Sequence, residues 1–107
     1  MDELQFRTLR ELARDGTLSQ RDLSKRMGLS LGRVNYLVNE LLSAGYIKAS
    51  RFKNSRNKIA YMYILTPKGM SVKLAQTYNF LQRKREEYHR LREEIEALRQ
   101  ETESIVR

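Results

Sequence analysis

The stretch Ser30-Leu31-Gly32-Arg33-Val34-Asn35-Tyr36-Leu37-Val38-Asn39-Glu40-Leu41-Leu42-Ser43-Ala44-Gly45 decides the fold. Val34, Leu37, Val38, Leu41 and Leu42 recur at i, i+3, i+4, i+7 and i+8, which is one apolar stripe at helical period. Ser30 is a good N-cap, because its hydroxyl can accept from a free backbone N–H of the first turn. Gly45 suits the position just past the end, where a left-handed residue closes a helix. The other face carries Gly32, Arg33, Tyr36, Asn39, Glu40 and Ser43, with Asn35 on its flank. Its N-terminal half has no acid and offers a guanidinium, two amides and a phenol, groups that contact base edges or phosphates. Taken alone, the pattern favours an ordinary amphipathic core helix with a polar outer face.

The neighbouring stretches separate these readings. Upstream, Asp2 to Arg14 reads as a first helix that buries Phe6, Leu9, Leu12 and Ala13 and stops at Asp15-Gly16. Ser19 then caps a second helix, with Asp22 three residues on in a capping-box position; it buries Leu23 and Met27 and ends at Gly28. The turn Met27-Gly28-Leu29-Ser30 is tight, so the second and third helices form a helix-turn-helix pattern. Downstream, Tyr46–Phe52 and Ile59–Leu65 have strand composition, and both faces of the second are apolar enough to be buried. Between them, Lys53-Asn54-Ser55-Arg56-Asn57-Lys58 reads as the basic tip of an antiparallel hairpin. Thr66-Pro67 caps and opens a last helix that runs to about Val106.

This order predicts a mainly α, α+β winged helix-turn-helix, with residues 1–78 as the DNA-binding domain and 79–107 as a C-terminal dimerisation helix. Ser30, Leu31, Gly32, Arg33, Asn35, Tyr36 and Asn39 are the expected recognition-helix contacts with double-stranded DNA. Arg51, Lys53, Asn54, Ser55, Arg56, Asn57 and Lys58 are the expected wing contacts. Charge agrees in sign and place. The chain carries +8, and residues 1–66 hold 12 Lys/Arg against 6 Asp/Glu, a surplus suited to a polyanion. There is no cysteine for disulfides or thiolate metal sites, and Met1-Asp2-Glu3 lacks the basic-then-apolar pattern of a signal peptide. The expectation is a cytoplasmic protein with no membrane partner.

The segment Leu18–Gly69 resembles the winged helix of MarR-type bacterial transcriptional regulators. The residues that carry the likeness are Leu29-Ser30, Leu41 with Gly45-Tyr46-Ile47, and Leu65-Thr66-Pro67-Lys68-Gly69. Ser19–Ser24, Ser30–Tyr36, Phe52–Ser55 with Asn57-Lys58, and Ala60-Tyr61 are similar to the small MarR-family EPS-associated regulators. The resemblance implies a transcriptional regulator of exopolysaccharide or surface-polysaccharide genes. MarR wings usually carry an aspartate followed by arginines. This tip has no aspartate, so only Arg56 is carried over as the wing-tip contact.

The last helix has a heptad reading, with Leu81, Tyr88, Ile95 and Thr102 at a and Lys84, Leu91, Leu98 and Ile105 at d. Glu87, Glu94 and Glu101 occupy g, and Arg85, Arg92 and Arg99 occupy e. A parallel pair sets Glu87 against Arg92 and Glu94 against Arg99, whereas an antiparallel pair sets like charges together. The expected assembly is therefore a homodimer through a parallel coiled coil, its seam formed by Leu81, Tyr88, Leu91, Ile95, Leu98 and Ile105. It would bind a roughly palindromic operator. His89 is the single histidine, and the chain has neither a phosphate-binding glycine loop nor a nucleophile motif. No enzyme activity, metal or cofactor is expected. Tyr46, Tyr61, Tyr63, Tyr78 and Phe80 read as core and interface, and a small-molecule effector stays an open question. The alternative function is a protein–protein adaptor that docks through its winged helix and its coiled tail.

Overall fold

The computed structural model describes residues 1–53, 56 and 59–106. Its elements run α1 (Glu3–Arg14), α2 (Gln20–Met27), α3 (Leu31–Ser43), β1 (Ile47–Lys53), β2 (Ile59–Leu65) and α4 (Pro67–Val106). Close contacts divide the chain into two units, Met1–Leu74 and Ala75–Arg107. The fold is thus mainly helical, with one small antiparallel sheet and a long C-terminal helix.

Local chemistry sets most of the helix starts. Asp2 caps α1 through a full capping box. Its carboxylate accepts from the Gln5 N–H at 2.8 Å, and the Gln5 side chain accepts from the Asp2 N–H at 3.0 Å. Ser19 and Asp22 make the same reciprocal pair at α2, with distances of 3.1 and 3.0 Å. Gly28 then ends α2 in the left-handed region at φ +67°, a conformation that a side chain would oppose. Ser30 caps α3 by accepting from the Arg33 N–H at 3.2 Å. At α4 the Thr66 hydroxyl oxygen accepts from the Gly69 N–H at 3.0 Å, and Pro67 follows the cap directly.

The core of the first unit joins Leu9 and Leu12 of α1, Leu18, Leu23 and Met27, and Val34, Leu37, Val38 and Leu41 of α3. Ile47 and Tyr63 close it from the sheet. Each fully buried aliphatic side chain contributes roughly 1.5–3 kcal/mol from removal of apolar surface from water. One expectation about this core is corrected. Ala13 is exposed, and the α1 position buried in addition to Phe6, Leu9 and Leu12 is Thr8. Burial of Thr8 is tolerated because its hydroxyl donates to the Leu4 carbonyl at 2.7 Å and approaches the Met27 sulfur at 3.6 Å.

The sheet begins one residue later than its composition suggests. Tyr46 lies before β1 because its backbone closes α3 and braces the start of α4. Its N–H donates to the Leu41 carbonyl at 3.0 Å, and its own carbonyl accepts from the Thr66 N–H at 3.0 Å. The register pairs Ile47 with Leu65, Ala49 with Tyr63 and Arg51 with Tyr61. Tyr63 is buried and Leu65 half-buried, while Ile64 on the opposite face is exposed, so the face of Tyr63 and Leu65 turns inward; Tyr61, on the same face but further from the core, is exposed. The Tyr63 N–H also donates to the Gly16 carbonyl at 2.9 Å and so ties β2 to the loop after α1.

Candidate nucleic-acid interface

The outer face of α3 follows from its inner one. With Val34, Leu37, Val38 and Leu41 buried, Leu31, Gly32, Arg33, Asn35, Tyr36 and Asn39 are all exposed, as is the cap Ser30. No acid lies in the first turn of the helix, so its exposed N–H groups and the Arg33 guanidinium face solvent without a competing carboxylate there. The polar groups are partly organised among themselves. Asn39 donates through Nδ2 to Asn35 Oδ1 at 3.1 Å, and Asn35 donates through Nδ2 to Gln20 Oε1 at 3.1 Å. Gln20, at the start of α2, donates in turn to the Tyr63 hydroxyl at 3.4 Å.

Tyr36 behaves differently from what its residue type suggests. Its hydroxyl hydrogen-bonds to the Glu40 carboxylate one turn on, which holds the phenol above its usual titration range. Glu40 is held in place by a hydrogen bond from the Gln5 amide of α1. The group that Tyr36 leaves exposed is therefore its ring rather than a free donor.

In the wing, Arg51, Lys53 and Arg56 are exposed. The Arg51 guanidinium lies 5.9 Å from the ring centre of its cross-strand partner Tyr61, a cation–π contact that limits its rotamers. Asn54, Ser55, Asn57 and Lys58 lie outside the described residues.

Two supporting groups escape a reading by sequence alone. Gln20 touches both α3 and β2, although nothing in its neighbourhood along the chain marks it. Lys68 places its ammonium 3.0 Å from the Ala44 carbonyl and 5.3 Å from the ring centre of Tyr46, a cation at the C-terminal end of α3.

An α2–turn–α3 pair is thus followed directly by a two-stranded hairpin whose inner strand is hydrogen-bonded back to the loop after α1. The fold is a winged helix-turn-helix. A family model described as winged helix-turn-helix DNA-binding matches residues 1–48. No curated protein matches the sequence. Among solved structures, the winged helix is similar to a MarR/EmrR family transcriptional regulator from Acinetobacter sp. ADP1, with a TM-score of 0.68 and 21% identity. That match covers 80% of this chain and 59% of the other. It is also similar to the S. aureus MepR–DNA complex, with a TM-score of 0.65, 24% identity, and coverage of 78% and 60% respectively. A mutant MarR from E. coli complexed with operator DNA gives a TM-score of 0.58 at 21% identity, with 70% and 52% covered. The chain therefore spans about three fifths of the length of the first two of these structures.

Along α4, Leu81, Tyr88, Leu91, Ile95, Leu98 and Ile105 are all exposed, Ile105 at 85%. Charges on the same helix pair within the chain, Lys84 with Glu87 at 3.1 Å and Arg99 with Glu96 at 3.4 Å. Such exposed pairs contribute little to stability. Among the described residues no helix is long and apolar enough to cross a membrane.

Proposed function

We propose that the chain is a sequence-specific, DNA-binding transcriptional regulator of MarR type that acts as a homodimer and performs no catalysis. The observation that carries this reading is the exposed face of α3. Arg33, Asn35, Tyr36 and Asn39 are presented to solvent within a winged-helix frame, and exposed wing cations accompany them. Arg33 and Asn35 supply donors and an acceptor for base edges. Arg51, Lys53 and Arg56 supply charge for phosphates, where each contact gains by counterion release. The whole proposed set is Ser30, Leu31, Gly32, Arg33, Asn35, Tyr36 and Asn39 on the helix, and 51 and 53–58 on the wing. Both the S. aureus and the E. coli structures include DNA, which supports the same use of the fold.

Dimerisation is assigned to residues 79–107 as a parallel coiled coil. The exposed a and d side chains need a partner, and the g glutamates and e arginines match only in the parallel arrangement. The second copy would place two recognition helices on half-sites about one helical turn, or a multiple of it, apart. Control of exopolysaccharide genes rests on the sequence resemblance alone, and the cytoplasmic location on the absence of cysteine and of a signal-peptide pattern. The testing experiment is selection of bound sites from random duplex DNA by the full chain. Recovery of a roughly palindromic motif supports the regulator, and recovery of no motif removes it.

A further inference from the structure

We infer that Gln20, on α2 and outside the recognition helix, positions the Asn35 amide so that it reads an adenine. This inference rests on the DNA-binding reading above and adds a base identity to it.

An asparagine side chain has two N–H donors and two carbonyl lone pairs. In Asn35 one N–H is committed to Gln20 Oε1 at 3.1 Å, and one lone pair is committed to Asn39 Nδ2 at 3.1 Å. One N–H and one lone pair remain. That pair matches the major-groove edge of adenine, which offers N7 as an acceptor and the N6 amino group as a donor. Guanine offers two acceptors, O6 and N7, and would set its O6 against the remaining lone pair of Asn35.

The place of this amide is not set within α3 alone. Asn35 is exposed, and a concerted turnover of the Gln20, Asn35 and Asn39 amides would still leave it one N–H and one lone pair. Gln20 holds Asn35 in place from α2, and its own Nε2 lies 3.4 Å from the Tyr63 hydroxyl. Tyr63 is anchored at both ends of the residue. Its ring is 9% exposed within the core, and its backbone N–H is held by the Gly16 carbonyl at 2.9 Å. The core of the wing strand thereby fixes, through Gln20, where the Asn35 amide is held.

The test uses the full chain and a duplex obtained by selection, with every base pair of one half-site replaced in turn. Wild type should prefer adenine at one position by roughly 5- to 100-fold, the range of a good bidentate contact. Asn35→Ala should erase that preference and so identify the position. Gln20→Ala should reduce the same preference to less than about threefold, with preferences at other positions and affinity for scrambled duplex nearly unchanged. A merely structural defect would lower every affinity together. Gln20→Glu retains the acceptor for the Asn35 N–H, so it should keep the adenine preference while its charge weakens binding to all sequences alike. An unaltered preference in Gln20→Ala overturns the positioning role and leaves the DNA-binding reading standing. So does a preference for another base at the Asn35 position. A wild-type chain that selects no duplex overturns both.

Discussion

Replacement of Gly69 by alanine should destabilise the winged helix, although most Gly-to-Ala changes within helices do the reverse. A Cβ built on Gly69 falls 1.9 Å from the Tyr46 carbonyl oxygen and 2.8 Å from its carbonyl carbon. Neither contact is with a side chain that can swing away. The first turn of α4 or the Tyr46 peptide must retreat, and the Thr66 N–H to Tyr46 carbonyl bond of 3.0 Å lies in the way. Overpacking of this kind costs about 1–3 kcal/mol. Loss of the hydrogen bond adds about 1 kcal/mol. Helix propensity returns at most about 1 kcal/mol, so the net loss is about 1–3 kcal/mol. For a domain of this size each kcal/mol lowers the melting temperature by about 4–8 °C. Gly32→Ala is the control. Nothing lies within 4 Å of a Cβ there, so the same substitution should raise the melting temperature slightly. Thermal unfolding of the three proteins by circular dichroism, at one fixed chain concentration, makes the comparison. If Gly69→Ala melts at or above the wild type, the close approach of α4 to Tyr46 is not a constraint on the fold.

Gly32→Ala should also weaken DNA binding, because a methyl at the exposed start of α3 keeps the backbone from the groove; a fluorescence titration against a selected duplex reads this. Acid should weaken the first unit through Asp22 and Asp15. Hydrogen bonds from Ser19 to Asp22 and from Thr17 to Asp15 hold both carboxyls below their ordinary value of 3.8. Their contribution is therefore complete above that pH and disappears as pH falls through the lowered values. Asp22→Asn should flatten the fall in melting temperature below about pH 4, and an unchanged pH profile would count against the capping role. Truncation after Tyr78 should leave a folded and largely monomeric domain in sedimentation, and a tight dimer would place the interface elsewhere. Exchange of Glu87 and Glu94 for Arg, with Arg92 and Arg99 for Glu, should preserve self-association and weaken pairing with the original chain; free mixing would contradict the parallel register.

What the sequence made legible was chemistry that is local along the chain. Ser19, Ser30 and Thr66 announce helix starts because each cap bonds within three residues of itself. The stripe from Val34 to Leu41 announces its buried face because helical period is itself local. The illegible features depend on contacts between segments. Both faces of β2 are apolar, and only the packing of Tyr63 against the helices distinguishes them. Thr8 is buried because its hydroxyl finds acceptors within its own helix and on α2, whereas the apolar Ala13 faces solvent. Within the proposed interface, the positions of Arg33, Asn35, Tyr36 and Asn39 followed from the stripe opposite them. The engagement of Tyr36 by Glu40 and of Asn35 by Gln20 did not, since Glu40 takes its place from Gln5 and Gln20 from Tyr63.

The central claim is that α3 reads bases while the wing holds phosphates. Its most direct test is a titration of wild type, Arg33→Ala and Arg56→Ala against selected and scrambled duplexes at several salt concentrations. Arg56→Ala should weaken both duplexes alike. It should also make the dependence of log affinity on log salt shallower by about one unit for each phosphate that is no longer neutralised. Arg33→Ala should cost on the order of 1–3 kcal/mol on the selected duplex, with little change on the scrambled one. Equal losses from Arg33→Ala on both duplexes would make Arg33 a backbone contact and contradict the assignment of the reading face. Unchanged DNA binding in both variants would contradict the regulator itself.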